Sequence, residues 1–376
     1  MHDIVHDFAQ LISKNECFTI NSDIDLGVDY KSARHLHLKI LKNAKFLESI
    51  CSAKNLRTLI FEGGYNLFTL SQHFRCLRVL TLCCEYHSML KELPNAVENF
   101  IHLRYLYLIN YCVDALPKTI CNLCNLQILH IEYVGGFFQK LTQGMDKLIN
   151  LRHFKLGCKN YGDLDINFPR GFGRLTSLRT LKYFSINGED DSKRCKLGEL
   201  RNMDHLQGTL EISGLGNEAD QCEAMNAQLK KKINLHTLKL LFHPNKWDPE
   251  EITRRMDALV LNALEPPPNL EDLSILYYKG PTMSPWMVSL TNLKKLYFDS
   301  LLIEHLPPLG KLSVLKSLRI CEINRLKKLG VEFMGIEESK KKEKDDTSIT
   351  LFPNLRDLTF QCLYNWEEWN GIGGEE

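Results

Sequence analysis

Three features are missing from this sequence, and each absence narrows the class of protein. No apolar run reaches the roughly 18 residues that a transmembrane helix needs, so no membrane span is expected. The first residues carry neither a basic segment nor a continuous apolar run, since Asp3 and Asp7 interrupt them, so no secretion signal is expected. The 47 Lys and Arg almost balance the 46 Asp and Glu. The net charge of +1 gives no overall field for nucleic acid or anionic lipid, and we expect no nucleic-acid partner.

Motifs for disulfides, metals, cofactors and catalysis are also scarce. The 13 cysteines are odd in number and irregularly spaced, which favours reduced thiols and a cytoplasmic location. Cys121 and Cys124 have the spacing of half a metal site, but a second such pair is missing. The phosphate-binding motif G-x-x-x-x-G-K-[S/T] is absent, because Gly310-Lys311 is followed by leucine. No nucleophile with an assigned base emerges, so we predict a non-enzymatic chain without cofactor, metal or catalytic residues.

What the sequence does contain is a repeat. The pattern L-x-x-L-x-L is complete at Leu56, Leu59 and Phe61, and full or weaker copies start at residues 33, 56, 77, 103, 126, 151, 178, 207, 235, 270, 293, 315 and 355. The last two apolar positions are two residues apart and therefore lie on one side of a short strand. Because a single unit cannot bury that side, the units must stack. The sequence predicts an α/β leucine-rich-repeat solenoid, with a curved parallel sheet on its concave side and helices or irregular segments outside.

Two smaller signals fit the same repeat. Asparagine often directly precedes the first leucine, where its amide can satisfy backbone groups of a turn. These asparagines are Asn55, Asn125, Asn150, Asn234, Asn269, Asn292 and Asn354. Leu-Pro pairs end the crossing from strand to outer segment, because proline cannot extend a strand. These pairs are Leu93-Pro94, Leu116-Pro117 and Leu306-Pro307.

Breaks in the period set the expected domain organisation. We expect a leucine-rich-repeat domain over 31–376, with insertions near 184–205, 216–233, 243–265 and 337–350. Apolar spacing predicts a helix within 216–233, capped at its C-terminal end by the lysines at 230–232. A second helix is predicted over 249–264. The charged runs at 188–192 and 337–346 are typical of solvated loops.

Several phrases are more specific than the generic repeat. They are Met1 to Gln10 (MHDIVHDFAQ), Leu197 to Leu200, Leu206 to Ile212 with Ala219 to Leu229 behind it, Leu264 to Leu273, Pro285 to Met287, Leu306 to Leu312 and Trp366 to Trp369. Together they resemble the leucine-rich-repeat region of plant coiled-coil-type nucleotide-binding leucine-rich-repeat (NB-LRR) disease resistance proteins. The resemblance implies that residues 1–30 are a remnant of the winged-helix nucleotide-switch module and linker, truncated at its MHD motif. It also implies that His2 is a vestigial nucleotide sensor, because the family's ADP/ATP site is absent from this chain.

The resemblance implies a protein-interaction scaffold of plant innate immunity. Its expected partners are a pathogen effector or a guarded host protein, and a nucleotide-binding module that it restrains in cis or in trans. Two alternatives stay open. One is a generic intracellular leucine-rich-repeat adaptor unrelated to immunity. The other is a metallohydrolase that uses His2 and His6 around Asp3, although no third ligand is evident.

Candidate binding residues occupy the non-leucine positions of the strand motif, which are predicted to face solvent on the concave side. Basic residues outnumber acidic ones there by 13 to 4. The arginine after the first leucine also fits a repeat preference that supports neighbouring turns, whereas Lys155, Lys182, Lys239, Lys295 and Arg319 have no such explanation. The predicted partner-binding residues are Arg57, Arg78, Arg104, Tyr105, Tyr107, His130, Arg152, His153, Lys155, Arg179, Lys182, Lys239, Lys294, Lys295, Tyr297 and Arg319.

Overall fold

The computed structural model describes most of the chain as two compact units. The described residues are Phe8, 11–20, 29–39, 50–63, 72–83, 93–111, 116–133, 140–158, 166–186, 192–216, 221–244, 251–336 and 351–369. The first unit is Met1–Thr180 and the second is Leu181–Glu376. Each unit is built on its own parallel sheet.

The first sheet contains eight strands that pair in the order of the chain. They are β1 Cys17–Ile20, β2 His35–Lys39, β3 Thr58–Glu62, β4 Val79–Cys83, β5 Tyr105–Tyr111, β6 Ile128–Tyr133, β7 His153–Cys158 and β8 Thr180–Leu181. The first core position of each strand lies beside its counterpart, so Leu59 neighbours Leu80, and Leu106 neighbours Leu129. This register confirms the predicted leucine-rich-repeat fold class.

Side-chain burial in the first unit follows the predicted alternation. In β3, Leu59 and Phe61 are buried, whereas Thr58, Ile60 and Glu62 are partly exposed. Each strand is followed by an outer segment, and 3-10 turns form at Ile50–Ser52, Asn95–Asn99, Lys118–Asn122, Met145–Lys147 and Phe172–Arg174. The proline of the Leu-Pro pair holds an extended conformation directly before two of these turns. Its fixed φ and missing N–H end the strand crossing there.

At several repeats the asparagine before the first leucine forms a hydrogen bond to the preceding repeat. The amides of Asn125 and Asn150 donate to the carbonyl oxygens of Ile101 and Cys124, each at 2.8 Å. In the second unit, Asn269, Asn292 and Asn354 donate to the carbonyl oxygens of Ile233, Pro268 and Ser313. The predicted role of these asparagines is confirmed at these five positions. Asn365, which the leucine pattern did not include, does the same to Asn324 at 2.7 Å.

The second sheet has seven strands in the order β16-β14-β13-β12-β11-β10-β9. They are β9 Tyr183–Ser185, β10 Gln207–Leu215, β11 Asn234–Phe242, β12 Asp272–Leu276, β13 Lys295–Asp299, β14 Ser317–Cys321 and β16 Asp357–Gln361. A separate pair consists of β15 Lys328–Leu329 and β17 Glu368–Trp369. The helices of this unit are α1 Gln221–Asn226, α2 Glu251–Ala263 and α3 Val331–Met334. Its 3-10 turns are Leu197–Asn202, Leu229–Lys231, Pro285–Ser289 and Leu309–Lys311.

The prediction that the lysines at 230–232 cap a helix is wrong. α1 ends at Asn226, before these lysines, so they do not cap it. Lys232 is fully buried, and its ammonium donates to the carbonyl oxygens of Leu200 at 2.7 Å and Met203 at 3.3 Å. Those carbonyls end the 3-10 turn of the preceding repeat. Burial lowers the pKa of Lys232 to about 8, and the nearby Asp204 opposes the shift. The helix predicted over 249–264 is present as α2.

Two core assignments also differ from the pattern. Tyr183 was predicted to face the core, but the chain bends at Lys182 between β8 and β9, and Phe184 is buried instead. Leu358 was predicted to be buried, yet it is 42% exposed because β16 is the edge strand of its sheet. The alternation of apolar residues along one strand shows neither a local bend between strands nor which strand lies at the edge of the sheet.

Some predictions concern residues outside the described ranges. These are the motif with His2 and His6, the run 188–191 and the segment 337–350. Within the ranges that the structure does describe, no helix combines the length and the apolar character needed to cross a membrane.

Candidate protein-interaction surface

An arginine directly precedes six of the eight strands of the first sheet, and these side chains form a line that is here called the arginine column. It consists of Arg34, Arg57, Arg78, Arg104, Arg152 and Arg179. Each residue's N–H donates to the carbonyl of its predecessor at 2.7 or 2.8 Å, with Gln127 in the place between Arg104 and Arg152. Adjacent members of parallel strands lie about 4.8 Å apart. Five of these arginines were predicted from the sequence, and Arg34 was not, because its repeat copy starts with alanine.

The middle of the strand face holds an aromatic cluster, defined as Tyr105, Tyr107, His130 and Glu132. The rings of Tyr107 and His130 stack with centroids 4.2 Å apart and planes 4° apart. The Tyr105 ring meets Tyr107 edge-on at 6.4 Å. The Tyr107 hydroxyl donates to Glu132 Oε1 at 2.6 Å, and His130 Nε2 lies 3.7 Å from the same oxygen.

Burial sets the protonation of this cluster. Burial and then Glu132 raise the pKa of both tyrosines, so their hydroxyls stay protonated and can donate. Burial lowers the pKa of His130 despite the opposing charge of Glu132, and Lys155 adds to the lowering. The imidazole is therefore neutral at pH 7, and the cluster presents uncharged rings around one carboxylate.

Lys155 and His153 lie on β7 next to the aromatic cluster. Lys155 pairs in register with His130 and is exposed. His153 Nδ1 lies 2.9 Å from the Thr180 hydroxyl. Burial, Lys155 and two arginines of the column lower the pKa of His153. The structure thus brings five predicted residues together on β5, β6 and β7: Tyr105, Tyr107, His130, His153 and Lys155.

Acidic residues were missed because they follow the last core position of the motif. Glu62 follows Phe61 in β3, and Glu132 follows Ile131 in β6. The Glu62 carboxylate lies 3.1 Å from His37 Nε2. The strand face of the first unit therefore has an arginine margin at the start of its strands and acidic groups at their ends. These glutamates follow the last position of L-x-x-L-x-L, so they lie outside the positions from which the binding residues were predicted.

In the second unit, several predicted basic residues already have acidic neighbours. Lys294 pairs with Glu271 at 2.7 Å, and Lys239 lies 3.8 Å from the buried Glu211. Lys295 pairs in register with Asp272. Their charges are therefore partly neutralised within the face itself.

The remaining predicted residues of the second unit contact aromatic rings. The Tyr297 hydroxyl donates to Asp299 Oδ2 at 2.6 Å, and the Arg319 guanidinium lies 5.4 Å from the Tyr297 ring centre. Lys182 Nζ lies 4.7 Å from the centre of the Tyr183 ring. Such cation–π contacts hold these side chains in defined positions on the surface.

Metal and thiol chemistry find little support in the described part of the chain. It contains no group of three or more His, Cys, Asp or Glu placed to hold a metal ion. Cys121 is buried while Cys124 is exposed. Burial raises the pKa of Cys121 to about 11, which keeps it a thiol and hence a weak nucleophile at pH 7.

In-register strands, 3-10 turns and linking asparagines together define a leucine-rich-repeat protein. Residues 197–323 match the family model described as R13L1/DRL21 LRRs. This stretch includes Lys232, α1 and α2.

Curated relatives extend the similarity over almost the whole chain. The Arabidopsis thaliana proteins described as disease resistance protein At3g14460 and disease resistance RPP13-like protein 1 are 30% and 27% identical, and each alignment covers 98% of this chain. Disease resistance protein RGA2 of Solanum bulbocastanum is 32% identical over 85% of it. The chain is thus similar to the leucine-rich-repeat region of plant NB-LRR disease resistance proteins.

The alignments cover only part of each relative. The chain spans 26% of At3g14460, 36% of RPP13-like protein 1 and 30% of RGA2. Among solved structures, an internalin of Listeria monocytogenes matches 88% of this chain and 89% of its own at 16% identity, with a TM-score of 0.44.

Proposed function

We propose that this chain is a non-enzymatic recognition scaffold of plant innate immunity that acts in the cytoplasm by binding other proteins. The similarity to disease resistance proteins over 98% of the chain supports the biological setting. The aromatic cluster of the first unit supports protein binding, and it is the observation that carries the proposal.

The aromatic cluster has the properties of an interface anchor. Its rings are half-buried and held by stacking and by the Tyr107–Glu132 hydrogen bond, so little side-chain entropy is lost when a partner binds. Tyrosine and arginine are enriched among the residues that dominate binding energy. Lys155 and the arginine column add positive charge, which would speed association with an acidic partner surface.

Two kinds of partner follow from the resemblance. One is a pathogen effector or a host protein that an effector modifies. The other is the nucleotide-binding module of the same or another receptor chain, which the repeats would hold inactive. We expect this chain alone to bind neither ADP nor ATP, because it has no phosphate-binding loop. Calorimetry with ADP tests that expectation, and micromolar affinity would contradict it.

Binding to a purified nucleotide-binding module from a similar resistance protein tests the proposal. The double variant Tyr107→Ala/His130→Ala should raise the Kd about tenfold or more, as expected for loss of a binding hot spot. The control is Tyr364→Ala, which removes a tyrosine that is 78% exposed in the second unit. Circular dichroism and melting temperature must stay unchanged in both variants. Equal binding by the double variant and the wild type would place recognition elsewhere.

A further inference from the structure

The arginine column begins in a cleft that protein recognition does not explain. The cleft has a volume of about 490 Å³ and lies within the first unit. Its walls include Glu16, Arg34, Asn55, Arg57, Arg78 and His102. Ser32 and Cys76 complete the described lining, which contains no aliphatic, phenyl, phenol or indole side chain. The cleft is therefore polar and positively charged.

The three arginines of the cleft differ in their partners. Arg34 Nε lies 3.3 Å from Glu16 Oε1, so its charge is paired. Arg57 and Arg78 are exposed and form no ion pair with any described residue. The Arg57 N–H donates to the Arg34 carbonyl, and the Arg78 N–H to the Arg57 carbonyl, each at 2.8 Å. The backbone therefore places Arg57 and Arg78 side by side, about 4.8 Å apart, and neither side chain forms an ion pair with a described carboxylate.

Asn55 supplies an independent observation. Its counterparts Asn125 and Asn150 use their amides to bind the preceding repeat. Asn55 occupies the same place before Leu56, yet its amide makes no hydrogen bond to any residue that the structure describes. Its two N–H donors are thus available in the cleft, next to the guanidinium groups and His102.

We propose that this cleft binds a compact anion that carries two or more phosphate groups. Guanidinium groups bind phosphate oxygens through paired, charge-assisted hydrogen bonds, and two adjacent arginines suit two linked phosphates. The volume lies in the range of small-molecule sites. Among the described lining residues the His102 imidazole is the one ring, and there is no aliphatic or larger aromatic side chain to hold a nucleobase or an apolar peptide side chain, which disfavours a nucleotide and a protein segment. This inference stands independently of the proposed function.

Calorimetry of the full chain with inorganic tripolyphosphate at low salt tests the site. Arg57→Ala/Arg78→Ala should weaken binding at least about tenfold, since each arginine contributes a charged hydrogen bond. Arg152→Ala/Arg179→Ala is the matched control, because it removes the same charge from the same column but outside the cleft lining. Glu16→Gln should tighten binding, because it removes the carboxylate that competes for Arg34.

The comparison of the variants decides the outcome. Equal weakening by both arginine pairs would overturn the proposal in favour of diffuse attraction to the column. Absence of binding by the wild type at millimolar tripolyphosphate would also overturn it, as would tighter binding of an oligo-aspartate of equal charge through Arg57 and Arg78. Sedimentation with phosphatidylcholine vesicles, with and without phosphatidylinositol bisphosphate, then identifies the source of the phosphates. Binding to the phosphoinositide vesicles through the same arginines indicates a lipid headgroup, and binding to tripolyphosphate alone indicates a soluble ligand.

Discussion

The two units differ in the polar side chains that they bury. Among the described residues of the first unit, the buried polar side chains are Asn110 and Thr142, both uncharged. The described part of the second unit buries Ser185, Glu211, Lys232, Asp257, Ser274, Lys279 and Ser284, of which four are ionisable. The first unit instead places its charges outside, on the arginine column. The regularly stacked repeats of the first unit therefore have an apolar interior, whereas the irregularly stacked repeats of the second unit bury charged side chains.

Three of the four buried ionisable side chains in the described part of the second unit, namely Lys232, Asp257 and Lys279, form hydrogen bonds with backbone atoms. Lys232 donates to two carbonyls at the end of a 3-10 turn. Lys279 Nζ donates to the His243 carbonyl at 2.5 Å, and its N–H donates to Asp257 Oδ2 at 3.1 Å. The carbonyls of Leu200 and Met203 also accept backbone N–H groups within their own turn, so the ammonium of Lys232 supplies a second hydrogen bond to each. Buried charged side chains therefore add to the backbone hydrogen bonding of this unit.

The strongest test of this difference is Lys232→Ala. Removing the side chain deletes its hydrogen bonds to two carbonyls and opens a cavity at a fully buried position, so the free energy of unfolding should fall by about 2 to 5 kcal/mol. Urea denaturation followed by circular dichroism measures it. The control is Lys230→Ala, an exposed lysine paired with Glu265 at 2.8 Å, whose loss should cost less than about 1 kcal/mol. Similar small losses in both variants would show that Lys232 is not needed as a backbone partner.

The first unit should depend on apolar packing instead. Leu129 is fully buried on β6, in register with Leu106 and Phe154. Leu129→Ala should lower the free energy of unfolding by about 2 to 5 kcal/mol, through lost burial and an incompletely collapsed cavity. Ile149→Ala, at a turn residue that is 58% exposed, should change it by less than about 0.5 kcal/mol. Equal changes in the free energy of unfolding for the two variants, measured by urea denaturation, would argue against a continuous apolar core.

The buried Asp257 should give the second unit a pH dependence. Burial raises its pKa to about 6, with the Lys279 backbone and charge opposing, and Tyr278 and Arg254 lie nearby. Because the folded pKa exceeds the ordinary value near 4, this carboxyl's contribution to stability is present below about pH 4 and is lost as the pH rises through 6. Between those pH values, the free energy of unfolding should fall by about 2 kcal/mol more in the wild type than in Asp257→Asn. Parallel curves for the two proteins, measured by urea denaturation from pH 4 to pH 7, would contradict this expectation.

The smallest expected change in stability comes from reversing the charge of one lysine on the strand face of each unit. Lys239→Glu places a second carboxylate beside the buried Glu211, so the free energy of unfolding should fall by about 1 kcal/mol. Lys155→Glu lies on an exposed part of the first unit and should leave stability within about 0.5 kcal/mol. It should instead slow association with an acidic partner, and the effect should weaken as salt rises. Stopped-flow association at two salt concentrations measures this, and an unchanged rate would remove Lys155 from the binding surface.

The sequence by itself determined the repeat and its interior. The spacing of Leu59 and Phe61 places both in the core, because side-chain direction along a strand alternates with a period of two, and Leu56 is buried in the turn before the strand. The asparagine before the first leucine and the proline of the Leu-Pro pair also act locally, so their roles could be predicted. The sequence likewise named Tyr107 and His130 as surface residues. Each of these properties depends on residues within a few positions of each other.

Only the tertiary structure decided which side chains meet across repeats. Glu132 joins Tyr107 because β5 and β6 lie in register, although the two residues are 25 positions apart. Lys232 reaches a carbonyl 32 residues earlier, and Arg57 and Arg78 share a cleft with Glu16. Such contacts depend on the length of each repeat and on the lateral pairing of strands, neither of which the leucine spacing within one repeat determines. For the same reason, the bend at Lys182 and the exposed edge at Leu358 became visible only when the repeats were stacked.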